Sequence, residues 1–173
     1  RALVGWQKVQ VNKTAKTVYL TTKGAQIGLG GIAKGYAVDR AMEVLAQRGF
    51  PRSMVDGSGE LAVGDPPPGR AGWKVAVESL ESPETRSTEG LELANIAIAT
   101  SGDAFQSVTI DGRRFSHILD PRTGLGLTTS SSVTVLASDA TTADALASAI
   151  SVMGPEAGQR LVARTRAVES MFV

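Results

Sequence analysis

The dipeptide Asp111-Gly112 constrains the fold most strongly, because it separates two short strand-prone runs. Asp-Gly in this position is typical of a two-residue β-hairpin turn. We therefore expect residues 107–110 and 113–117 to pair as antiparallel strands. Residues 6–11 and 17–22 are rich in β-branched and aromatic side chains, and they predict a second hairpin across a turn-prone connection.

Two main helices are predicted from apolar residues that recur every three or four positions. The first ends at Gly49, and the second is capped by Asp139 or its neighbours and ends at Gly154-Pro155. The stripe of the first comprises Ala33, Ala37, Ala41, Val44 and Leu45. The stripe of the second comprises Ala143, Leu146, Ala147, Ile150 and Met153.

The remaining pattern is that of strands joined by loops. Strands are predicted at 73–77, 91–99, 132–136 and 167–172, a short helix at 155–164, and an exposed polar loop at 81–90. These elements indicate an α+β fold in which antiparallel strands form a sheet with the two main helices packed on one side. A length of 173 residues suits one domain, so we expect residues 1–173 to form a single domain.

Composition excludes several classes of function. The net charge is +1, which leaves no basic excess to follow a nucleic-acid backbone, so we expect no nucleic-acid partner. The absence of cysteine excludes disulfides, thiolate metal sites and cysteine nucleophiles. No apolar run approaches the roughly 20 residues that a membrane-spanning helix needs.

The glycine-rich stretch before the first helix allows two interpretations. Gly28-x-Gly30-x-x-Ala33, with Asp56 further on, fits a dinucleotide-binding fingerprint. The preceding strand, however, alternates and is rich in threonine, and no regular strand-helix alternation follows, which argues against a Rossmann fold. The glycines would still let an anion approach the helix N-terminus, and Lys34 in the first turn favours a bound anion.

Residues 116–124 concentrate groups that could do chemistry. His117 is the only histidine, which makes it the obvious proton carrier near neutral pH, although a lone histidine at a strand end can also be structural. A Ser-His-Asp hydrolase is disfavoured, because Asp120 is very close to His117 in sequence and no Gly-x-Ser-x-Gly elbow is present.

Two other places carry oxygen ligands. Asp144 and Ser148 lie four residues apart on one helical face, where a carboxylate and a hydroxyl could share a Mg²⁺ ion. Without other support, Asp144 would more simply complement the helix dipole. The stretch 100–103 forms a turn at the end of a buried strand, which suits ligand binding but equally a plain turn.

Five blocks, taken in order, resemble the ApbE family. They are LGGIAKGYAVD at 29–39, TSGD at 100–103, FSHILDPRTG at 115–124, SVTV at 132–135 and ADALASA at 143–149. The resemblance implies an ApbE-like, T-fold-like architecture and a Mg²⁺-dependent FAD:protein FMN transferase. Such an enzyme splits its substrate FAD and attaches FMN, through its phosphate, to a threonine of an acceptor flavoprotein.

The resemblance also implies roles for individual residues. Metal ligands would be the Gly31 carbonyl, Asp144 and Ser148. The base that takes the threonine proton would be His117 or Asp103, and Lys34 would contact FAD. The predicted FAD-binding residues together are Gly28, Lys34, Thr100, Ser101, Gly102 and Ile118.

Three departures from the family pattern keep other functions open. Gly28 stands where members usually carry an aspartate, residues 55–61 match the family's Asn-x-Gly-Gly turn only loosely, and members are longer at the N-terminus. The alternatives are a non-catalytic flavin-binding or interaction module and a hydrolase that releases FMN and AMP. The resemblance also implies a periplasmic or extracytoplasmic location, with the cytoplasm not excluded.

Overall fold

The computed structural model describes residues 2–76, 90–102, 106–166 and 168–172. The predicted base Asp103, most of the predicted loop 81–90 and the end of the predicted strand 73–77 lie outside these residues. The helices are a 3₁₀ turn at Trp6–Lys8, α1 at Ala33–Gln47, α2 at Ala140–Met153 and α3 at Pro155–Val162. The strands are β1 Val9–Asn12, β2 Thr17–Leu20, β3 Met54–Asp56, β4 Glu60–Val63, β5 Trp73–Val75, β6 Leu91–Leu93, β7 Ile96–Gly102, β8 Ser107–Ile110, β9 Arg113–Ser116, β10 Leu119–Asp120, β11 Leu125–Gly126, β12 Ser132–Ala137 and β13 Glu169–Phe172.

A five-stranded sheet in the order β13-β12-β7-β4-β3 forms the centre of the fold. Every neighbouring pair in it is antiparallel. In the β7–β12 pair, Thr100 lies opposite Thr134. The Rossmann alternative is therefore wrong, because that fold requires a mostly parallel sheet.

Helices α1 and α2 cover one face of this sheet, as the sequence predicts. Alternation along the strands turns Ala99, Val133 and Val135 toward α2, where they pack around Ala147 and Ile150. The intervening residues face the other side and join the β5–β6 pair in a separate apolar cluster. The α+β architecture with two helices on one side is thus confirmed.

The apolar stripe predicted for α1 is wrong in its detail. Ala33 and Ala37 are exposed and Val44 is 54% exposed, whereas the buried residues of this helix are Gly35 and Val38. The reason is a close crossing of the two helices. A Cβ at Gly35 would lie only 2.2 Å from the Ala140 carbonyl oxygen, so the glycine decides which side of α1 faces α2.

The stripe predicted for α2 is largely confirmed. Its alanines at 143 and 147 and Ile150 are almost fully buried, but Met153 in the last turn is 44% exposed. Asp139 caps the helix as predicted, since its Oδ1 accepts a hydrogen bond of 2.7 Å from the Thr142 N–H.

A second carboxylate reaches the same helix end from α1. Oδ1 and Oδ2 of Asp39 accept hydrogen bonds from the Ala140 N–H at 2.7 Å and the Thr141 N–H at 2.8 Å. The first turn of α2 therefore has two acidic acceptors for its free N–H groups.

Both predicted hairpins are present. β8 and β9 pair in the expected register, and Asp111 and Gly112 have φ values of 49° and 73°, the left-handed conformations of a type I′ turn. β1 and β2 form the second hairpin. His117 consequently follows directly after β9.

No helix in the described part of the chain is long and apolar enough to cross a membrane.

Substituting Gly35→Ala tests the helix crossing. The added methyl group would meet the Ala140 backbone, which cannot move without separating α1 from α2, so we expect a loss of about 3 kcal/mol in unfolding free energy. Urea denaturation followed by circular dichroism measures this loss.

Gly28→Ala is the matched control, because a Cβ there would meet nothing within 4 Å. Equal midpoints for the two variants would contradict the close crossing.

Candidate functional site

A polar cleft of about 250 Å³ lies where the N-terminal half of α1, the first residue of β4, the end of β7 and the middle of α2 meet. Most of the predicted site residues line it: Lys34, Thr100, Ser101, Gly102, His117, Asp144 and Ser148. A larger cavity of about 610 Å³ beside the second half of α1 contains none of them. The fold therefore gathers residues that are more than a hundred positions apart in sequence.

Asp144 joins α2 to α1 at the floor of this cleft. Its side chain is 5% exposed, and Oδ2 accepts a 3.0 Å hydrogen bond from the Gly35 N–H. That N–H lies in the first turn of α1, where it has no partner within the helix, and the N-cap residue Ile32 provides no side-chain cap. The Asp144 carboxylate thus takes the place of an N-cap side chain for α1, and it still lines the cleft.

The three predicted metal ligands are brought close together. Ser148 lies one turn after Asp144, and both line the cleft. A Cβ at Gly31 would lie 3.3 Å from Ser148 Oγ, so the glycine-rich loop runs directly beside this hydroxyl. Their roles as metal ligands stay predictions.

The donor set fits a hard cation such as Mg²⁺. A buried carboxylate, a hydroxyl and an adjacent backbone are oxygen donors, and Mg²⁺ commonly takes only one or two protein carboxylates together with water and phosphate oxygens. No group of three or more His, Cys, Asp or Glu side chains suited to a metal occurs among the described residues. A metal held here would therefore depend on ligands from water or substrate.

Lys34 is oriented by two partners. Its Nζ lies 2.6 Å from Oε2 of Glu60 and donates a 3.1 Å hydrogen bond to the Ser58 carbonyl. Glu60 and Ser58 both line the cleft; the sequence left open whether residues 55–61 are a plain connection or line the flavin site, and it assigned no individual role to either residue. The only sequence signal for Glu60 was its position directly after a glycine-rich turn.

Glu60 is a buried carboxyl with an altered pKa. It is 4% exposed. Burial raises the pKa of the Glu60 carboxyl above its ordinary value of 4.5, and the nearby charge of Asp144 adds to the rise, while the hydrogen bond and charge of Lys34 oppose it. Glu60 and Asp144 thus give the cleft two carboxyl groups, and Lys34 gives it one ammonium group.

The turn before Glu60 is held in an unusual conformation. Asp56 Oδ1 accepts a 2.7 Å hydrogen bond from the Ser58 N–H, and Ser58 adopts a φ of 63°, which is uncommon for a residue with a side chain. The Asx turn presents the Ser58 carbonyl to Lys34. Residues 55–61, which match the family's Asn-x-Gly-Gly turn only loosely, therefore still contribute to the cleft.

His117 lies on the rim of the cleft with one ring nitrogen engaged. Its Nδ1 is 3.1 Å from the Gln106 carbonyl oxygen. A carbonyl oxygen can only accept, so the contact favours a proton on Nδ1 and leaves Nε2 of the neutral ring as an acceptor.

Asp120 does not orient this histidine. It forms a fork-like ion pair with Arg122, with Nε at 2.9 Å from Oδ1 and Nη2 at 2.9 Å from Oδ2. The hydrogen bonds from Arg122 lower the pKa of the Asp120 carboxyl. The hydrolase triad is therefore not formed by these residues.

Thr100, Ser101 and Gly102 form the end of β7 and line the cleft. The hydroxyl groups of Thr100 and Thr134 are 3.0 Å apart across the β7–β12 pair. This contact fixes the strand end that faces the cleft.

Four predicted residues are not among those that line the cleft. Gly28 and Ile118 are absent from its lining, Gly31 lies beside Ser148 without being part of the lining, and Asp103 lies outside the described part of the chain. Their predicted roles stay predictions.

Comparison with known proteins agrees with this geometry. The ApbE family profile matches residues 1–172. This chain belongs to the ApbE family. A FAD:protein FMN transferase from Vibrio cholerae is 38% identical over 133 residues, which are 76% of this chain and 40% of that protein. One from Haemophilus influenzae is 34% identical over 161 residues, 90% of this chain and 46% of that protein.

Solved structures agree in fold as well as in sequence. The ApbE protein of Thermotoga maritima superposes with a TM-score of 0.83 at 33% identity, covering 98% of this chain and 55% of that one. The flavinyl transferase ApbE of Pseudomonas stutzeri, in its apo form, gives 0.82 at 32% identity and covers 99% of this chain and 52% of that one. This ApbE chain thus spans about half the length of the relatives it matches.

The pKa of Glu60 predicts how stability depends on pH. A raised pKa means that the folded state binds the proton more tightly, so this contribution is complete below pH 4.5 and is lost as pH rises through the raised value. We expect the melting temperature of Glu60→Gln, minus that of the wild type, to increase between about pH 4 and about pH 7. Differential scanning calorimetry across this pH range measures the difference in melting temperature.

Glu92 is exposed on β6, so Glu92→Gln controls for the loss of one negative charge. A difference for Glu60→Gln that decreases with pH would contradict the burial effect.

Proposed function

We propose that this ApbE chain cleaves FAD in the cleft and transfers FMN to a threonine hydroxyl of an acceptor flavoprotein. The observation that carries the proposal is the convergence of Lys34, His117, Asp144 and Ser148 on one polar cleft. The similarity to FAD:protein FMN transferases over 76% to 90% of the chain supports it.

The cleft suits the pyrophosphate of FAD better than the whole dinucleotide. Its volume of about 250 Å³ is below the range of roughly 300–1,000 Å³ that is usual for ligand pockets. Lys34 supplies the cation for this group, and the glycines before α1 allow close approach to the backbone. The rest of the dinucleotide would extend over the surface around the cleft.

Asp144, Ser148 and the Gly31 carbonyl are the proposed ligands for Mg²⁺. When bound, this cation would neutralise charge that develops on the pyrophosphate as it is cleaved. The hydrogen bond from the Gly35 N–H, which fixes one Asp144 oxygen beside the cleft, supports this assignment.

His117 is the proposed base. In the transfer, the threonine oxygen bonds to the phosphorus of the FMN half, the bridging P–O bond breaks, and AMP leaves with that electron pair. The threonine proton passes to Nε2 of His117, since Nδ1 is held by the Gln106 carbonyl. Asp103, the other predicted base, lies outside the described residues.

The domain organisation and the cellular location stay proposals. The single-domain organisation of residues 1–173 is proposed from their length, and a periplasmic or extracytoplasmic location is proposed from the sequence resemblance. Fractionation of cells that express the full-length gene would test the location.

Incubation with FAD, Mg²⁺ and a flavoprotein acceptor tests the reaction. We expect the acceptor to gain the mass of one FMN less one water, with one AMP released, and an acceptor with threonine replaced by alanine to gain nothing. Release of FMN and AMP without labelling would instead support the hydrolase. FAD binding without turnover would support the non-catalytic module.

Substitutions in α2 test the proposed metal ligands. Asp144→Asn keeps an oxygen acceptor for the Gly35 N–H but removes the charge, and Ser148→Ala removes the hydroxyl. We expect each to lower the FMN transfer rate at least about 100-fold, with partial recovery at high Mg²⁺ concentration. Steady-state kinetics at several Mg²⁺ concentrations measures this.

Ser151→Ala is the matched control, since Ser151 Oγ donates to the Ala147 carbonyl one turn earlier in α2 and Ser151 does not line the cleft. Wild-type rates for Ser148→Ala would remove this residue from the site.

A further inference from the structure

Glu60 is a buried acidic residue that the proposed reaction does not use. It is the first residue of β4 and lies 4% exposed at the cleft. Strand alternation places it on the same face as Ala62, which packs against Val38 of α1. A carboxylate at such a position is unfavourable unless a cation compensates it.

Lys34 is the compensating cation. Oε2 of Glu60 is fully buried and makes no hydrogen bond of good geometry with the described residues, but it lies 2.6 Å from Lys34 Nζ. The lysine side chain itself is 53% exposed. The carboxylate is therefore fixed by the fold, whereas the lysine depends on its partners for a defined position.

The second partner of Lys34 is equally rigid. The Ser58 carbonyl belongs to the turn that Asp56 fixes, and it accepts a hydrogen bond from Nζ. A free lysine side chain has many rotamers, and ordering it costs up to about 2 kcal/mol. The contacts with Glu60 and Ser58 offset this entropic cost in the folded protein, before a ligand binds.

The charges in the cleft give this arrangement a distinctive consequence. Glu60 and Asp144 are both acidic, and a pyrophosphate is an anion, so Glu60 opposes substrate binding while it orients the lysine. Removing only its charge should therefore strengthen binding and slow turnover. Substitution of a residue with a purely structural role would instead weaken binding and slow turnover.

We propose that Glu60 is a positioning residue that holds the Lys34 ammonium against the Ser58 carbonyl, directed at the pyrophosphate of the substrate. This inference rests on the proposed function. It adds a residue that acts through Lys34 rather than by touching the reacting atoms.

The first test separates binding from turnover in the full chain. For Glu60→Gln we expect the Kd for FAD, measured by flavin fluorescence with Mg²⁺, to decrease roughly threefold. We expect kcat for FAD cleavage, measured as AMP release, to fall at least about tenfold because the lysine is displaced. Glu60→Asp should restore part of kcat, and Glu92→Gln should change neither quantity.

The second test does not require turnover. Lys34→Gln should weaken FAD binding more in the Glu60→Gln background than in the wild type, because the lysine there no longer shares its charge with a carboxylate. Additive effects of the two substitutions, or a kcat unchanged in Glu60→Gln, would overturn the positioning role. A wild type without any FAD cleavage would refute the proposed function, and the binding comparison would still decide this inference.

Discussion

The hydrogen bond between Asp144 and the Gly35 N–H is the contact on which the rest of the site depends. It requires α1 and α2 to cross with no side chain between them, and Gly35 provides that space. Asp39 makes the reverse contact, from α1 to the first turn of α2. Each helix thus supplies a carboxylate to the N-terminus of the other, which favours one crossing of the pair.

The antiparallel sheet brings the remaining groups to this junction. The neighbouring strands β4 and β7 place Glu60 and residues 100–102 at one end of the sheet, because Glu60 pairs with Ala99. The β8–β9 hairpin then places His117 at the rim, where the Gln106 carbonyl engages Nδ1 of its ring. The cleft is therefore a meeting point of strand and helix ends, as is common for sites that bind ligands.

The charge balance of the cleft is compatible with the anionic substrate proposed above. Lys34 pairs with Glu60, and Asp144 lines the same cleft, so the ammonium is not an uncompensated cation. Only the Glu60 side of its pair with Lys34 is shielded from solvent, because the lysine side chain is 53% exposed, and the contacts with Glu60 and the Ser58 carbonyl orient the lysine. An anion and a divalent cation entering together would preserve this balance, which fits the mixed donor set.

The sequence by itself determined the antiparallel α+β class, the Asp111-Gly112 hairpin, the cap at Asp139, and the family, because turn chemistry, periodicity and ordered motifs are local properties. It also identified Lys34, Asp144 and Ser148 as candidates. Only the tertiary structure decided which face of α1 is buried, because steric fit at Gly35 outweighs an apolar stripe. It also revealed the Glu60–Lys34 pair, since a contact between residues 26 positions apart leaves no pattern in a single sequence.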